Sequence, residues 1–131
     1  MRPNQLFYVS LKAFIEKDNK LLILINNDHG LDFPGGQIQA MENNLEKILQ
    51  REVKEETNLE IKVNKPFVNW IIEVKNPAKS VFFVAYKCSY LSGQIKLSQE
   101  HMDFHWIDKN NYPNYSQNNV WFKLIKKYFV E

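Results

Sequence analysis

The sequence contains a single cysteine, Cys88, so it has no disulfide framework and no paired-thiol metal site. Its residue type and its place in a strand-like stretch suit a small buried hydrophobe. Long hydrophobic runs are also missing. The five-residue run Leu21 to Ile25 is typical of what is there and falls far short of a membrane span. The N-terminal Met-Arg-Pro-Asn-Gln-Leu has no apolar signal core, so the expected compartment is the cytoplasm. A strong charge of one sign is lacking too, since the formal net charge is only +2. Lys and Arg are scattered, and the longest basic cluster, Lys123 with Lys126-Lys127, reads as a solvated helix face. An extended nucleic-acid surface is therefore not expected. Repeats and low-complexity linkers are absent, and 131 residues with 44% hydrophobic content suit one compact domain, residues 1–131.

What the chain does have is concentrated between residues 33 and 59. Phe33-Pro34-Gly35-Gly36 is a turn signal in which proline fixes one φ and two glycines allow close backbone approach. A helical stretch follows, with Leu45, Ile48, Leu49 and Val53 at core-facing spacings of three and four. Glu52 and Glu56 continue that stripe where an ordinary amphipathic helix would carry Leu or Ala. With Glu55 they stand at i, i+3 and i+4, an arc of about 100°. Three carboxylates that close repel one another, and carboxylates facing the protein body need a cation, basic partners or an open wet cleft. Oxygen-only ligands favour Mg²⁺ or Mn²⁺.

This loop and helix resemble the signature of the Nudix hydrolase family, which runs Gly, five residues, Glu, seven residues, Arg-Glu, an aliphatic, any residue, Glu-Glu, any residue, Gly, an aliphatic. Here Gly36 is followed by five residues and Glu42, then by eight residues before Arg51-Glu52. Val53, Lys54, Glu55-Glu56, Thr57, Asn58 and Leu59 complete the match. The extra residue falls near Met41 to Asn44, which puts in question whether Glu42 takes the family glutamate's place beside the arginine. Asn43 or Asn44 then suits the helix N-cap. Asn58 replaces the family's glycine at a helix end that favours a left-handed residue, a mild change.

The resemblance implies an α/β/α sandwich with a mixed β-sheet. The strand and helix order agrees with it: Leu6 to Ile15 and Lys20 to Ile25 as a hairpin, the signature helix, a short strand Leu59 to Val63, a hairpin of Val68 to Val74 with Val81 to Cys88, a strand Asp103 to Ile107, and a C-terminal helix bearing Val120, Trp121, Leu124, Ile125, Tyr128 and Phe129. It also implies Mg²⁺-dependent hydrolysis of a nucleoside diphosphate linked to another group. Glu52, Glu55 and Glu56 are the metal ligands that carry over, and Arg51 either holds a ligand glutamate in place, the favoured role, or touches phosphate. Gly35 and Gly36 set the loop, and with Phe33 they are candidates for substrate contact. Glu100 lies six residues before Trp106, the spacing at which several family members carry a loop glutamate in the metal site or as base. Glu55 and Glu100 are thus the candidate bases, and His101 and His105 candidate polarising or substrate groups. Family members of this size that remove oxidised nucleoside triphosphates suggest the first substrate class. A sensing module on the same fold, binding a nucleotide or sugar-nucleotide without turnover, is the alternative, and the retained carboxylates argue against it. An isomerase or a capped-RNA hydrolase on this scaffold is a third reading, its RNA version weakened by the missing basic surface. Trp70, if exposed, would suit a homodimer face.

Overall fold

The computed structural model describes residues 2–28, 30–115 and 120–130. Its elements in chain order are β1 (Tyr8–Lys17), β2 (Lys20–Asn26), β3 (Leu31–Asp32), β4 (Gly35–Gln37), α1 (Leu45–Thr57), β5 (Glu60–Lys75), β6 (Ala78–Ser92), β7 (His101–Ile107), a 3₁₀ turn at Tyr112–Asn114 and α2 (Val120–Val130). The strands form one seven-stranded sheet with the path β3-β2-β1-β6-β5, to which β4 adds by pairing with β1 and β7 by pairing with β2. β1 and β6 run parallel, whereas β1 with β2 and with β4, and β5 with β6, are antiparallel, so the sheet is mixed.

Side-chain alternation divides the interior in two. Leu11, Ala13 and Ile15 of β1 and Leu22 and Leu24 of β2 face α1, where they bury Ile48, Leu49 and Val53. Phe14 of β1 with Leu21 and Ile23 of β2 face the other way and bury Trp121 and Ile125 of α2. Both faces of the central strands are covered, which is why Leu21 to Ile25 reads as an unbroken apolar run rather than an alternating one. The expected α/β/α sandwich is the observed one.

Several boundaries differ from expectation. Leu59 to Val63 and Val68 to Val74 are parts of one long strand, β5, whose register shifts between Val63 and Lys65 and between Pro66 and Val68. Pro66 marks an irregularity of a strand at the end of the sheet path, where a missing N–H is tolerated. The Phe33-Pro34-Gly35-Gly36 turn ends in a strand, β4, because Gly35 and Gly36 pair with Lys12 and Leu11. Leu45 opens α1 and stays 41% exposed, so the core stripe begins at Ile48. Trp70 is half-buried rather than exposed and is stacked on Phe83, with ring centroids 4.9 Å apart.

Cys88 is buried, and burial pushes its thiol pKa up to about 12. A buried, protonated thiol is a poor nucleophile. Native protein is expected to leave an aromatic disulfide reagent unreacted at pH 8 and to consume one equivalent after denaturation. Rapid reaction of the native protein would show that this side of the core opens.

Candidate active site

The site is built where β1, the glycine strand and α1 meet. The Ala13 N–H donates to the Pro34 carbonyl (2.8 Å) and the Ile38 N–H to the Val9 carbonyl (2.8 Å), clamping β4 onto β1. The Gly35 N–H then donates to Glu56 Oε1 at 2.7 Å, tying the glycine strand to the helix. Gly36 lies against the next carboxylate up the helix, since a Cβ there would stand 2.6 Å from Glu52 Oε2. The helix is fixed at both ends. The Asn44 side chain caps it by accepting from the Lys47 N–H at 3.0 Å, and Asn58, at φ 67°, donates its N–H to the Lys54 carbonyl at 2.9 Å.

The inserted residue does not displace Glu42. Met41 takes a φ of 73°, and Glu42 turns back so that Oε1 accepts the Gln39 N–H at 2.7 Å and Oε2 meets Arg51 Nη2 at 2.6 Å. Arg51 also reaches Glu52 Oε1 and Glu55 Oε1, both at 3.3 Å. One guanidinium therefore organises three carboxylates, and Glu55 lies on the exposed side of that group.

Glu100 is delivered by a different route. The loop before β7 is stitched to the end of α1 by the Lys96 N–H on the Thr57 carbonyl (2.9 Å) and the Ser98 N–H on the Glu56 carbonyl (3.0 Å). As a result one ligating atom each from Glu56, Glu100 and His101 lies within 4.8 Å of the others. His101 is buried and its Nε2 stands 3.2 Å from Asp32 Oδ2. Asp32 in turn accepts from Lys12 Nζ at 3.1 Å and from the Phe33 N–H at 2.7 Å through Oδ1.

The electrostatics follow from burial. Glu56 has its pKa pushed up to about 7 by desolvation, which outweighs the Gly35 N–H and the Lys12 and His101 charges that favour its ionised form. Glu52 is raised in the same way by burial, with Arg51 opposing and Glu55, Glu42 and Glu100 adding to the rise. Burial works against the Asp32 carboxylate as well, but the His101 hydrogen bond, Lys12 and the Phe33 N–H hold it below its ordinary value. The Asp32 hydrogen bond lifts the His101 pKa against the opposing effect of burial. Carboxylates held in this state gain most from a divalent cation, and the converging atoms of Glu56, Glu100 and His101 offer a donor group that fits one, with Glu52 one turn earlier on the helix.

Two of the residues expected here are elsewhere. Phe33 is fully buried, stacked on Phe14 at 4.0 Å and 9° and edge-on to Trp121, so its ring belongs to the core and has no free face for a substrate. His105 pairs with Asp103 at 3.5 Å and lies against Tyr115, apart from the Glu56, Glu100 and His101 group. Sequence reasoning did not find Asp32 or Lys12. Asp32 and His101 are 69 positions apart and come together because β3 and β7 both pair with β2, so no local spacing reveals them.

Residues 9–126 match the NUDIX domain family. The ADP-ribose pyrophosphatase of Methanocaldococcus jannaschii is 27% identical over 124 residues, covering 92% of this chain and 72% of that protein. Among solved structures, a MutT protein from Methanosarcina mazei superposes with a TM-score of 0.79 at 21% identity, covering 98% of this chain and 96% of that one. A MutT NUDIX hydrolase from Burkholderia pseudomallei gives 0.78 at 16% identity, covering 97% and 100%. At those identities the likeness is one of fold.

Proposed function

The chain belongs to the Nudix hydrolase family and is a Nudix pyrophosphohydrolase, and from that premise we propose that it cleaves the pyrophosphate bond of a nucleoside diphosphate derivative with the help of Mg²⁺ or Mn²⁺. The observation that carries the reading is the buried Glu56 carboxylate, held by the Gly35 N–H and grouped with Glu100 and His101. Glu52, Glu56 and Glu100 would hold the cation, with Glu55 at their exposed edge. When bound, the cation offsets the charge of the diphosphate and acidifies a water.

The protein's own groups do the rest. Arg51 keeps Glu52 and Glu55 in place through its contacts at 3.3 Å while Glu42 anchors it from behind. Gly36 leaves room for the Glu52 carboxylate beside the glycine strand. Glu55, at the exposed edge of the carboxylate group, accepts the proton of the attacking water at its carboxylate oxygen, and Glu100 is the other candidate for that role where it is not engaged with the cation. As for substrate, the curated relative named an ADP-ribose pyrophosphatase supports a sugar-linked nucleoside diphosphate. Oxidised nucleoside triphosphates, the class suggested by the size of the chain, form the second panel member. Among the described residues no helix is long and apolar enough to cross a membrane. A cytoplasmic setting suits the lone reduced thiol.

Phosphate-product release from ADP-ribose, canonical and oxidised triphosphates, dinucleoside polyphosphates and capped RNA, measured with and without Mg²⁺, tests this. Turnover is expected to require the metal and to fall roughly 100-fold or more in Glu52→Gln. Tight binding of one panel member with no turnover would instead support the sensing module.

A further inference from the structure

We propose that His101 is a nitrogen ligand of the cation site, which makes this a mixed nitrogen and oxygen site that favours transition metals such as Mn²⁺ and Co²⁺ over Mg²⁺. The inference rests on reading the carboxylate cluster as a cation site, and adds to it a donor that the helix signature does not contain.

The first argument is position. His101 opens β7 opposite Asn26 of β2, and its side chain is only 2% exposed. One ring nitrogen shares a 4.8 Å neighbourhood with a carboxylate oxygen each of Glu56 and Glu100. Those two carboxylates come from a helix and a loop joined by backbone hydrogen bonds, so the group is held from three directions.

The second argument is the proton inventory of the ring. Asp32, an ionised carboxylate, can only accept, so the hydrogen of the 3.2 Å contact sits on Nε2. Asp32 is itself held by Lys12 and the Phe33 N–H, so it cannot swing away cheaply. In the neutral ring this leaves a lone pair on Nδ1. A carboxylate or carbonyl behind one ring nitrogen is how proteins orient an imidazole whose other nitrogen binds metal.

The third argument is what remains unsatisfied. His101 Nδ1 is buried and has no hydrogen-bond partner among the described residues. A histidine kept only for structure would bear the desolvation cost of leaving that buried atom bare. Ligation would remove the defect. Mg²⁺ prefers oxygen and dehydrates reluctantly, while imidazole suits the later first-row ions, so the imidazole would tilt selectivity away from Mg²⁺.

The experiment is calorimetric titration of the full chain and of His101→Gln with Mg²⁺, Mn²⁺ and Co²⁺, together with pulsed electron paramagnetic resonance of the Mn²⁺-loaded wild type to detect ¹⁴N coupling. Expected are a ¹⁴N coupling in the wild type and a loss of roughly 10-fold or more in Co²⁺ affinity in the variant, with Mg²⁺ affinity changed less than about 3-fold. Bound Mn²⁺ without nitrogen coupling would overturn the proposal and leave the carboxylate site standing, and so would equal losses for Co²⁺ and Mg²⁺. Failure of the wild type to bind any of the three ions would overturn both. The resonance measurement needs only wild-type protein, so the proposal stays testable if the variant does not fold.

Discussion

Glu56→Gln is expected to destroy turnover and, in metal-free protein above neutral pH, to make the fold more stable. The two effects have one cause. Burial raises the Glu56 pKa from the ordinary 4.5 to about 7. Between those values the folded protein holds a proton that the unfolded chain has lost. Stability therefore falls as pH rises from about 4.5 to 7, and above 7 the whole cost of burying the charge is felt. At about 1.4 kcal/mol per pKa unit the cost is about 3 kcal/mol. Glutamine removes the charge but keeps an oxygen to accept the Gly35 N–H, so the loop is still tied to the helix. Thermal unfolding in a chelator at pH 8 should show the variant higher by roughly 10 °C. At pH 4.5, where the wild-type carboxyl is protonated in the folded state, the gain should all but vanish. Turnover in the presence of Mg²⁺ should fall roughly 100-fold or more. A variant no more stable than wild type at pH 8 would mean that Glu56 carries no buried charge waiting for a cation.

The parts of this arrangement that could be read from the sequence are those in which local spacing and tertiary packing agree. The helix was legible because Ile48, Leu49 and Val53 continue into Glu56 on one stripe, and because Asn44 and Asn58 are good caps at its two ends. Glu56 is buried like its apolar neighbours on that stripe, at 9% exposure. The two-layer covering of the sheet was implied by the family resemblance, and the order of strands and helices agreed with it. Pro66 hid the continuity of β5, because a proline reads as a break unless the strand's place at the sheet edge is known. Phe33 was left between substrate contact and core for a related reason. A ring next to Pro-Gly-Gly can face the ligand or the core, and only the Phe14 ring opposite decides. The Lys12, Asp32 and His101 chain was invisible since each member is an ordinary residue in its own segment. Glu42 shows the reverse case, where a disturbed spacing hid a contact that survives. A single left-handed residue, Met41, absorbs the insertion and lets the carboxylate reach Arg51.

Replacing the two neighbouring glycines by alanine should separate the fold from the chemistry. Gly35 has a φ of 153°, a conformation that side chains rarely adopt, and its Cβ would run into the Leu11 carbonyl, with Lys12 Cα 3.0 Å away. Those atoms are backbone of β1, which pairs with β2, β4 and β6 and cannot retreat without disturbing all three. Gly35→Ala is therefore expected to cost 3 kcal/mol or more by order of magnitude, or to prevent folding. Gly36 has an ordinary φ, and its Cβ would meet Glu52 Oε2 at 2.6 Å and Cδ at 2.7 Å. That obstacle is the end of a flexible side chain, which can rotate. Gly36→Ala should fold with about 1 kcal/mol or less of lost stability yet push Glu52 out of place, so that activity falls roughly 10- to 100-fold. Urea unfolding midpoints and Mg²⁺-dependent turnover of the two variants would be compared. Comparable midpoints would mean that β4 can lift from β1 to admit a side chain. Full activity in Gly36→Ala would mean that Glu52 does its work from somewhere other than beside the glycine strand.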